Sequence, residues 1–192
     1  MALDPDTFGG LAKVRAMRLL WARLLEASNL PFTPLRLHTE TGWRCVSAAD
    51  ATVNMLRATS AVAAAGLGGA DSATVLPITA AVGLADGFTR RMARNVQAVL
   101  IEESNLYRVA DPAAGSGYID RLSQDMAAAG WAFFQKIEAA GGVSAALASG
   151  MVGEAVAEVR EARADYDRTI NEFVGHYDLV PPGFLRAWEW MP

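Results

Sequence analysis

Apolar residues recur at three- and four-residue intervals between arginines in Leu11-Ala-Lys-Val14-Arg-Ala-Met17-Arg-Leu-Leu20-Trp21-Ala-Arg-Leu24-Leu25, the spacing of one face of an amphipathic helix. Pro31 and Pro34 stop that period, because proline lacks the N–H that a helix interior needs. The following Leu35-Arg-Leu37-His38 is extended in character. It predicts a strand over Thr33 to His38 that runs into the polar loop Thr39-Glu40-Thr41-Gly42. Ser47-Ala-Ala-Asp50 has the form of a capping box with a short acid in place of Glu, and it opens an alanine-rich helix to Ala65 that Gly66, Gly68 and Gly69 close. A second strand is predicted over Ala73 to Ile78, with Pro77 at its end, where a missing ladder hydrogen bond costs least. A long helical stretch through Phe88, Met92, Val96, Val99 and Leu100 ends at the turn Asp111-Pro-Ala-Ala-Gly115-Ser-Gly117. Two further helices, Ile119 to Ala139 and roughly Val143 to Ile170, are separated by Gly141-Gly142, and the tail from Tyr177 reads as irregular.

Helix, strand, helix, strand, helix and then more helices is the order of an α/β, helix-rich chain with two parallel βα units and a C-terminal helical extension. Two parallel strands do not stand alone. A complete (β/α)8 TIM barrel takes about 250 residues, so these 192 residues read as part of one. Composition supports the helices, since alanine, the best helix former, is the most abundant residue. The formal charge of −4 argues against a nucleic-acid partner, whose phosphates call for a basic face. Cys45 is the only cysteine, which excludes an internal disulfide and a paired-cysteine zinc motif and fits a reducing, cytoplasmic setting. The longest uncharged run, Ala139 to Gly153, is shorter than the roughly 20 residues that span a bilayer. No membrane partner is expected.

Candidate chemistry is sparse. His38 closes an apolar strand beside a Thr-Glu-Thr-Gly loop, where parallel-sheet proteins place ligand groups; a histidine hydrogen-bonded to its neighbours at a strand end is the plainer alternative. His176 reads as a loop residue, and Lys13 and Lys136, the only lysines, sit in helical contexts. Glu102 and Glu103 are adjacent on a helix, point about 100° apart, and read as a solvated face. Gly66-Leu-Gly68-Gly69 follows a helix rather than a strand, so it terminates that helix instead of cradling a phosphate. Trp21, Trp43 and Trp131 are expected in the core.

Six stretches together resemble the coenzyme-B12-dependent methylmalonyl-CoA mutase family. Leu11-Ala-Lys-Val-Arg-Ala-Met-Arg-Leu-Leu-Trp-Ala resembles the family's I-A-K-L-R-A-x-R-x-L-W-A helix, and Arg36-Leu-His38-Thr-Glu40-Thr-Gly42-Trp43 is similar to R-x-H-x-Q-T-S-G-W. Asp50-Ala-Thr-Val-Asn54-Met-Leu-Arg57-Ala-Thr59 resembles D-P-x-x-N-x-x-R-T-T, and Ala64 to Ser72 falls where the family has A-x-x-G-G-x-x-S. Arg91-Met-Ala-Arg94-Asn95-Val-Gln97 is similar to R-I-A-R-N-T-Q, and Asp111-Pro112-Ala-Ala-Gly115-Ser116 to D-P-x-G-G-S. The motifs keep their order and spacing from Leu11 to about Gly142.

The resemblance implies the end of an acyl-CoA-binding barrel, with strands seven and eight and their helices in a first domain, residues 1–142. A C-terminal helix and irregular tail follow in residues 143–192. Strands one to six, which carry the family's substrate-gripping tyrosine, arginine and histidine, are not expected, nor is the B12-binding domain. His38 and Glu40 carry over as cofactor-side residues, with Glu40 standing where catalytic chains have glutamine in a loop one residue longer. Leu76 and Ala80 fall where those chains place an asparagine and a glutamate that hydrogen-bond the adenosyl group of adenosylcobalamin, so no tight binding of that cofactor is expected. The Val75-Leu76-Pro77 segment resembles the noncatalytic small (beta) subunit of heterodimeric mutases. The implied function is a small-subunit-like chain, inactive alone, that packs against a catalytic mutase subunit or associates with itself through its strand edges and first helix. Two alternatives are part of an active split isomerase and an independent binder of an acyl-CoA or other small ligand.

Overall fold

The computed structural model describes residues 1–43, 46–48 and 50–175, with side chains described through residue 164. The first amphipathic segment forms helix α1 (Thr7–Ala27), opened by Asp6, whose side chain accepts a hydrogen bond from the Gly9 N–H at 2.9 Å. The alanine-rich segment forms α2 (Val53–Leu67). Its N-cap is Thr52, which makes no side-chain cap bond; the turn leading into it is held by Asp50, which accepts from the N–H groups of Thr52 and Val53, so the expected box headed by Ser47 does not form the cap. The helix ends at Gly68 as expected.

Three strands pair in parallel in the order β1 (Ala2–Leu3), β2 (His38–Thr41), β3 (Ser72–Thr74). The two expected strands are thus present but shifted. Residues 33 to 37 are extended without ladder partners, and the first ladder position is His38, which therefore begins its strand rather than ending it. Immediately before it, the Leu37 N–H donates to the Asp71 carboxylate at 2.7 Å, a side-chain bond that replaces a ladder bond. β3 ends at Thr74, three residues before Pro77, because the Leu76 N–H turns away to the Thr41 hydroxyl at 2.8 Å. β1 was not expected at all. It pairs Ala2 with Glu40 and Leu3 with Thr41.

Side chains alternate across a strand, and here the alternation separates a covered face from an open one. Leu3, Leu37, Thr39 and Thr41 are buried on one side, where Leu3 and Leu37 cluster with Val14 of α1 and Ala61 and Ala65 of α2. Small residues let α1 and α2 approach closely. A Cβ on Gly68 would lie 2.8 Å from the Val14 Cβ and 3.0 Å from two backbone oxygens, so no other residue fits without displacement.

The long third helix is divided. Turns occupy residues 78–82, α3 (Gly87–Ala98) follows behind its cap Asp86, and a π-helical turn, Val99–Glu103, and a 3-10 turn, Leu106–Arg108, complete it. Ala93 and Val96 of α3 pack with Ala58 and Val62 of α2 and with Val75 just beyond β3. Glu102 and Glu103 are exposed, as expected. Then come α4 (Gly117–Ala139), α5 (Val143–Ala148) and α6 (Met151–Gly175). The last expected helix is two, because Gly150 adopts φ +84° between them.

The chain divides into two units, Met1–Trp131 and Ala132–Pro192. The first holds the sheet and three buried clusters, one of which joins Leu11, Ala64, Ala113 and Ile119. In the second, Ala146 is the buried apolar residue among those described.

Candidate functional site

The open face of the sheet is built by Ala2, His38, Glu40, Ser72 and Thr74, all exposed. The register sets His38 opposite Ser72 and Glu40 opposite Thr74. The His38 ring bridges two positions on β3: Nδ1 lies 2.8 Å from the Ser72 Oγ and Nε2 lies 3.2 Å from the Thr74 Oγ1. A hydroxyl beside an imidazole is the start of a nucleophile–base pair, but that chemistry needs an acid to orient the ring. Here the second ring nitrogen meets another hydroxyl. The arrangement is a cross-strand clip rather than a catalytic pair, and sequence reading missed it because the register that aligns His38 with Ser72 is a property of the pairing.

At the carboxyl ends of the strands, Asn54 from α2 organises the two loops. Its side chain is buried, accepts from the Ser47 N–H at 2.8 Å, and donates to the carbonyls of Ser47 and Ile78 at 2.8 Å each. Three hydrogen bonds thus join the segment after β2 to the segment after β3. The Thr79 hydroxyl next to them is buried without a hydrogen-bond partner.

The charged residues of α1 act as struts on the other side of the sheet. Lys13 donates to the Ala2 carbonyl at 2.8 Å, holding β1. Arg18 reaches the Leu35 carbonyl, the Gly69 carbonyl and the Asp71 carboxylate, tying the approaches to β2 and β3 together. The Asp71 carboxyl is held below the ordinary carboxylate range, first by the Leu37 N–H and then by Arg18. Arg15 bonds both oxygens of Asp111 at 2.6 and 2.7 Å and Asp120 at 2.8 Å, and its pKa is raised, first by the Asp111 hydrogen bond. A cavity of about 520 Å³ beside these ions is lined by Arg15, Arg18, Asp111 and Asp120, so its cations are already neutralised by its own acids. A second hollow of about 280 Å³ lies along Ser72 and Ala73 of β3, lined by Val62, Leu100, Ile101, Leu106 and Tyr107.

The expected residues therefore fall into different roles. His38 and Glu40 share the open face. Trp43 does not enter the core; it stands 66 % exposed just beyond β2. Trp21 and Trp131 are partly buried, the first donating its indole N–H to the Thr33 carbonyl and the second lying under the Arg23 guanidinium at 4.5 Å. Cys45, His176 and the tail from Tyr177 lie outside the described residues. Among the described residues no group of His, Cys, Asp and Glu is placed to hold a metal ion, and no helix is long and apolar enough to cross a membrane.

A family model described as methylmalonyl-CoA mutase matches residues 1–178, most of the chain. The chain belongs to the methylmalonyl-CoA mutase family. It is 49 % identical over 157 residues to the methylmalonyl-CoA mutase small subunit of Streptomyces virginiae, a match covering 81 % of this chain and 26 % of that protein. It is 43 % identical over 171 residues to a probable small subunit of Mycobacterium tuberculosis, with 86 % and 28 % covered. The large subunit of Streptomyces virginiae is 34 % identical over 174 residues, with 87 % and 24 % covered. Against two subunits of one organism the likeness is to the small one, and the chain is a mutase-related, small-subunit-like chain. It spans about a quarter of the length of these mutase relatives.

The mutase family uses adenosylcobalamin, and three of this chain's residues bear on the expectation about it. Leu76 and Ala80 carry no hydrogen-bonding side-chain atom, and both His38 nitrogens are engaged by β3. Thr41 and Asn54 tie down the segment that carries Leu76 and Ile78.

Proposed function

We propose that this chain is the noncatalytic, small-subunit-like part of a mutase assembly, packing its sheet against a catalytic chain that isomerises methylmalonyl-CoA and succinyl-CoA. The observation that carries the reading is the open sheet face. Parallel sheets occur almost only with both faces covered, yet one face here is packed by α1 and α2 while Ala2, His38, Glu40, Ser72 and Thr74 meet solvent. In this reading β1, β2 and β3 are strands six, seven and eight of an eight-stranded barrel. Residues 1–142 form the barrel portion and residues 143–192 its helical extension. The unpaired outer edge of β3 and the hollow beside it then receive a strand of the catalytic chain. His38 and Glu40 face the lumen of that barrel without gripping adenosylcobalamin, and the cytoplasm is the setting.

The test is to mix the purified chain with a catalytic mutase chain and follow both association and turnover. Expected are a stable complex, no turnover by this chain with adenosylcobalamin alone, and no saturable change in the cobalamin absorption spectrum at micromolar cofactor. Turnover by the chain alone contradicts the reading. So does a compact monomer that ignores the catalytic chain, which is the behaviour of an independent small-ligand binder.

A further inference from the structure

Helix α3 runs without a break into the π-helical turn that follows it, giving one helical rod from Gly87 to Glu103, about 25 Å long at 1.5 Å per residue. Its charges are sorted by position. Behind the cap Asp86, Arg90, Arg91 and Arg94 stand exposed on α3, which carries no acid of its own, and Glu102 and Glu103 stand exposed at the C-terminal end of the rod. This order opposes the helix dipole, which favours acids at the N-terminus and bases at the C-terminus, and it sets the like charges Arg90 and Arg94 one turn apart. Arg15, Arg18 and Arg121 all find acids within the chain, but among the described residues none of these three arginines and two glutamates makes an ion pair. Arg91 lies over the Phe88 ring, 5.8 Å from its centroid. Between the charged ends the outer surface of the rod carries Asn95, Ala98 and Val99, all exposed.

We propose that this rod pairs with the same rod of a second copy of the chain, antiparallel about a two-fold axis between positions 96 and 97. The charges select both the occupant and the direction. A parallel pair sets arginine against arginine and glutamate against glutamate. The antiparallel pair sets Arg91 beside Glu102 and Arg90 beside Glu103 of the other copy, twice by symmetry. Each group of arginines then also meets the negative end of the other helix's dipole, so the charge order that is unfavourable in one rod becomes favourable in two. At the centre, Asn95 falls beside Ala98 of the other copy, whose small side chain lets the backbones approach, and Arg94 lays its methylene stem over Val99. Val99, 42 % exposed, and Phe88, 54 % exposed, supply the apolar area that the contact covers. The hollow beside β3 takes Gln97, Leu100 and Ile101 from the same stretch, so this contact is separate from the edge assigned above to a catalytic chain.

The full chain in a Cys45→Ser background, without any catalytic chain present, provides the test. Sedimentation across the micromolar range is expected to show a dimer whose dissociation constant rises at least about tenfold with Arg91→Glu or with Glu102→Arg, and returns close to its original value when the two are combined. Both reversals agree with the helix dipole, so they weaken the contact without weakening the helix. Lys136→Glu, the same change of charge at an exposed position of α4, is expected to leave the dimer unchanged. A short thiol crosslinker joins two copies through Ala98→Cys and not through Gly87→Cys, because the antiparallel rods hold positions 98 about 5 Å apart along the axis and positions 87 about 28 Å apart. A chain that stays monomeric throughout, a dimer indifferent to the single reversals, a double variant as weak as the single ones, or crosslinking at position 87 overturns the proposal. A dimer held by the sheet edges also overturns it while leaving the small-subunit reading intact.

Discussion

The two faces of the sheet are made by alternate residues of the same strands and differ in almost every physical respect. On one face Leu3 and Leu37 are buried against Val14, Ala61 and Ala65, and the hydroxyls of Thr39 and Thr41 are spent on the Ser72 carbonyl and the Leu76 N–H. On the other, two residues away at most, His38, Glu40, Ser72 and Thr74 are exposed and bonded only to one another where they are bonded at all. A burial-driven fold of this size has no reason to leave a parallel face wet. The difference therefore teaches that the described chain is folded by one side of its sheet and leaves the other to the partner proposed above.

The contrast fails most visibly if truncation on the covered face is tolerated. Leu37→Ala is expected to cost ~2–5 kcal/mol of unfolding free energy, from lost transfer energy and the cavity left behind, read by urea denaturation. Gly68→Ala follows at ~1–3 kcal/mol, because its Cβ is forced against Val14 and two carbonyls where α1 crosses α2; thermal melts monitor it.

What the chain's sequence discloses about these two faces differs for physical reasons. Helix α1 is legible because its period of apolar positions is the face that becomes buried, and Gly68 is legible as a terminator because it ends an uninterrupted alanine run. Strand limits are not. The prolines at 31 and 34 produce extended chain whether or not a ladder forms, so the strand was expected five residues early, and only the Asp71 carboxylate bonding Leu37 decides where pairing begins. β1 is two residues long, too short for any period, and is made a strand by Lys13 holding Ala2 and by Met1 and Glu40 exchanging backbone bonds with β2 and β1. Trp43 misled because the gain from burying an indole says nothing about whether this part of the chain has a core to bury it in. His38 and Glu40 were readable as polar candidates, whereas the clip that occupies His38 depends on a register no local pattern contains.

Asp71 sharpens the comparison through pH. Its carboxyl is depressed in the folded chain, first by the Leu37 N–H and then by Arg18, so its contribution is fully present above the ordinary carboxylate range and is lost as pH falls through the folded value. Stability of the native chain minus that of Asp71→Asn is expected to be positive near neutrality and to shrink toward zero in acid. A difference that grows on acidification rejects the strut.

The smallest effect belongs to the open face. His38→Ala removes two hydrogen bonds between solvent-exposed groups and is expected to change stability by about 0.5 kcal/mol or less, with an unaltered far-ultraviolet dichroism spectrum. A loss comparable to that of Leu37→Ala makes His38 a core residue and erases the distinction between the faces.

Hydrogen exchange at the outer edge of β3 tests the central claim most directly. With the chain alone, the amide of Ala73, which faces away from β2 in the parallel ladder, is expected to exchange rapidly, while the Thr74 amide, paired into β2, is protected. Addition of a catalytic mutase chain should slow Ala73 by the formation of a new ladder on that edge. If its exchange is unchanged while the two chains are demonstrably bound, the sheet is not where the catalytic chain packs.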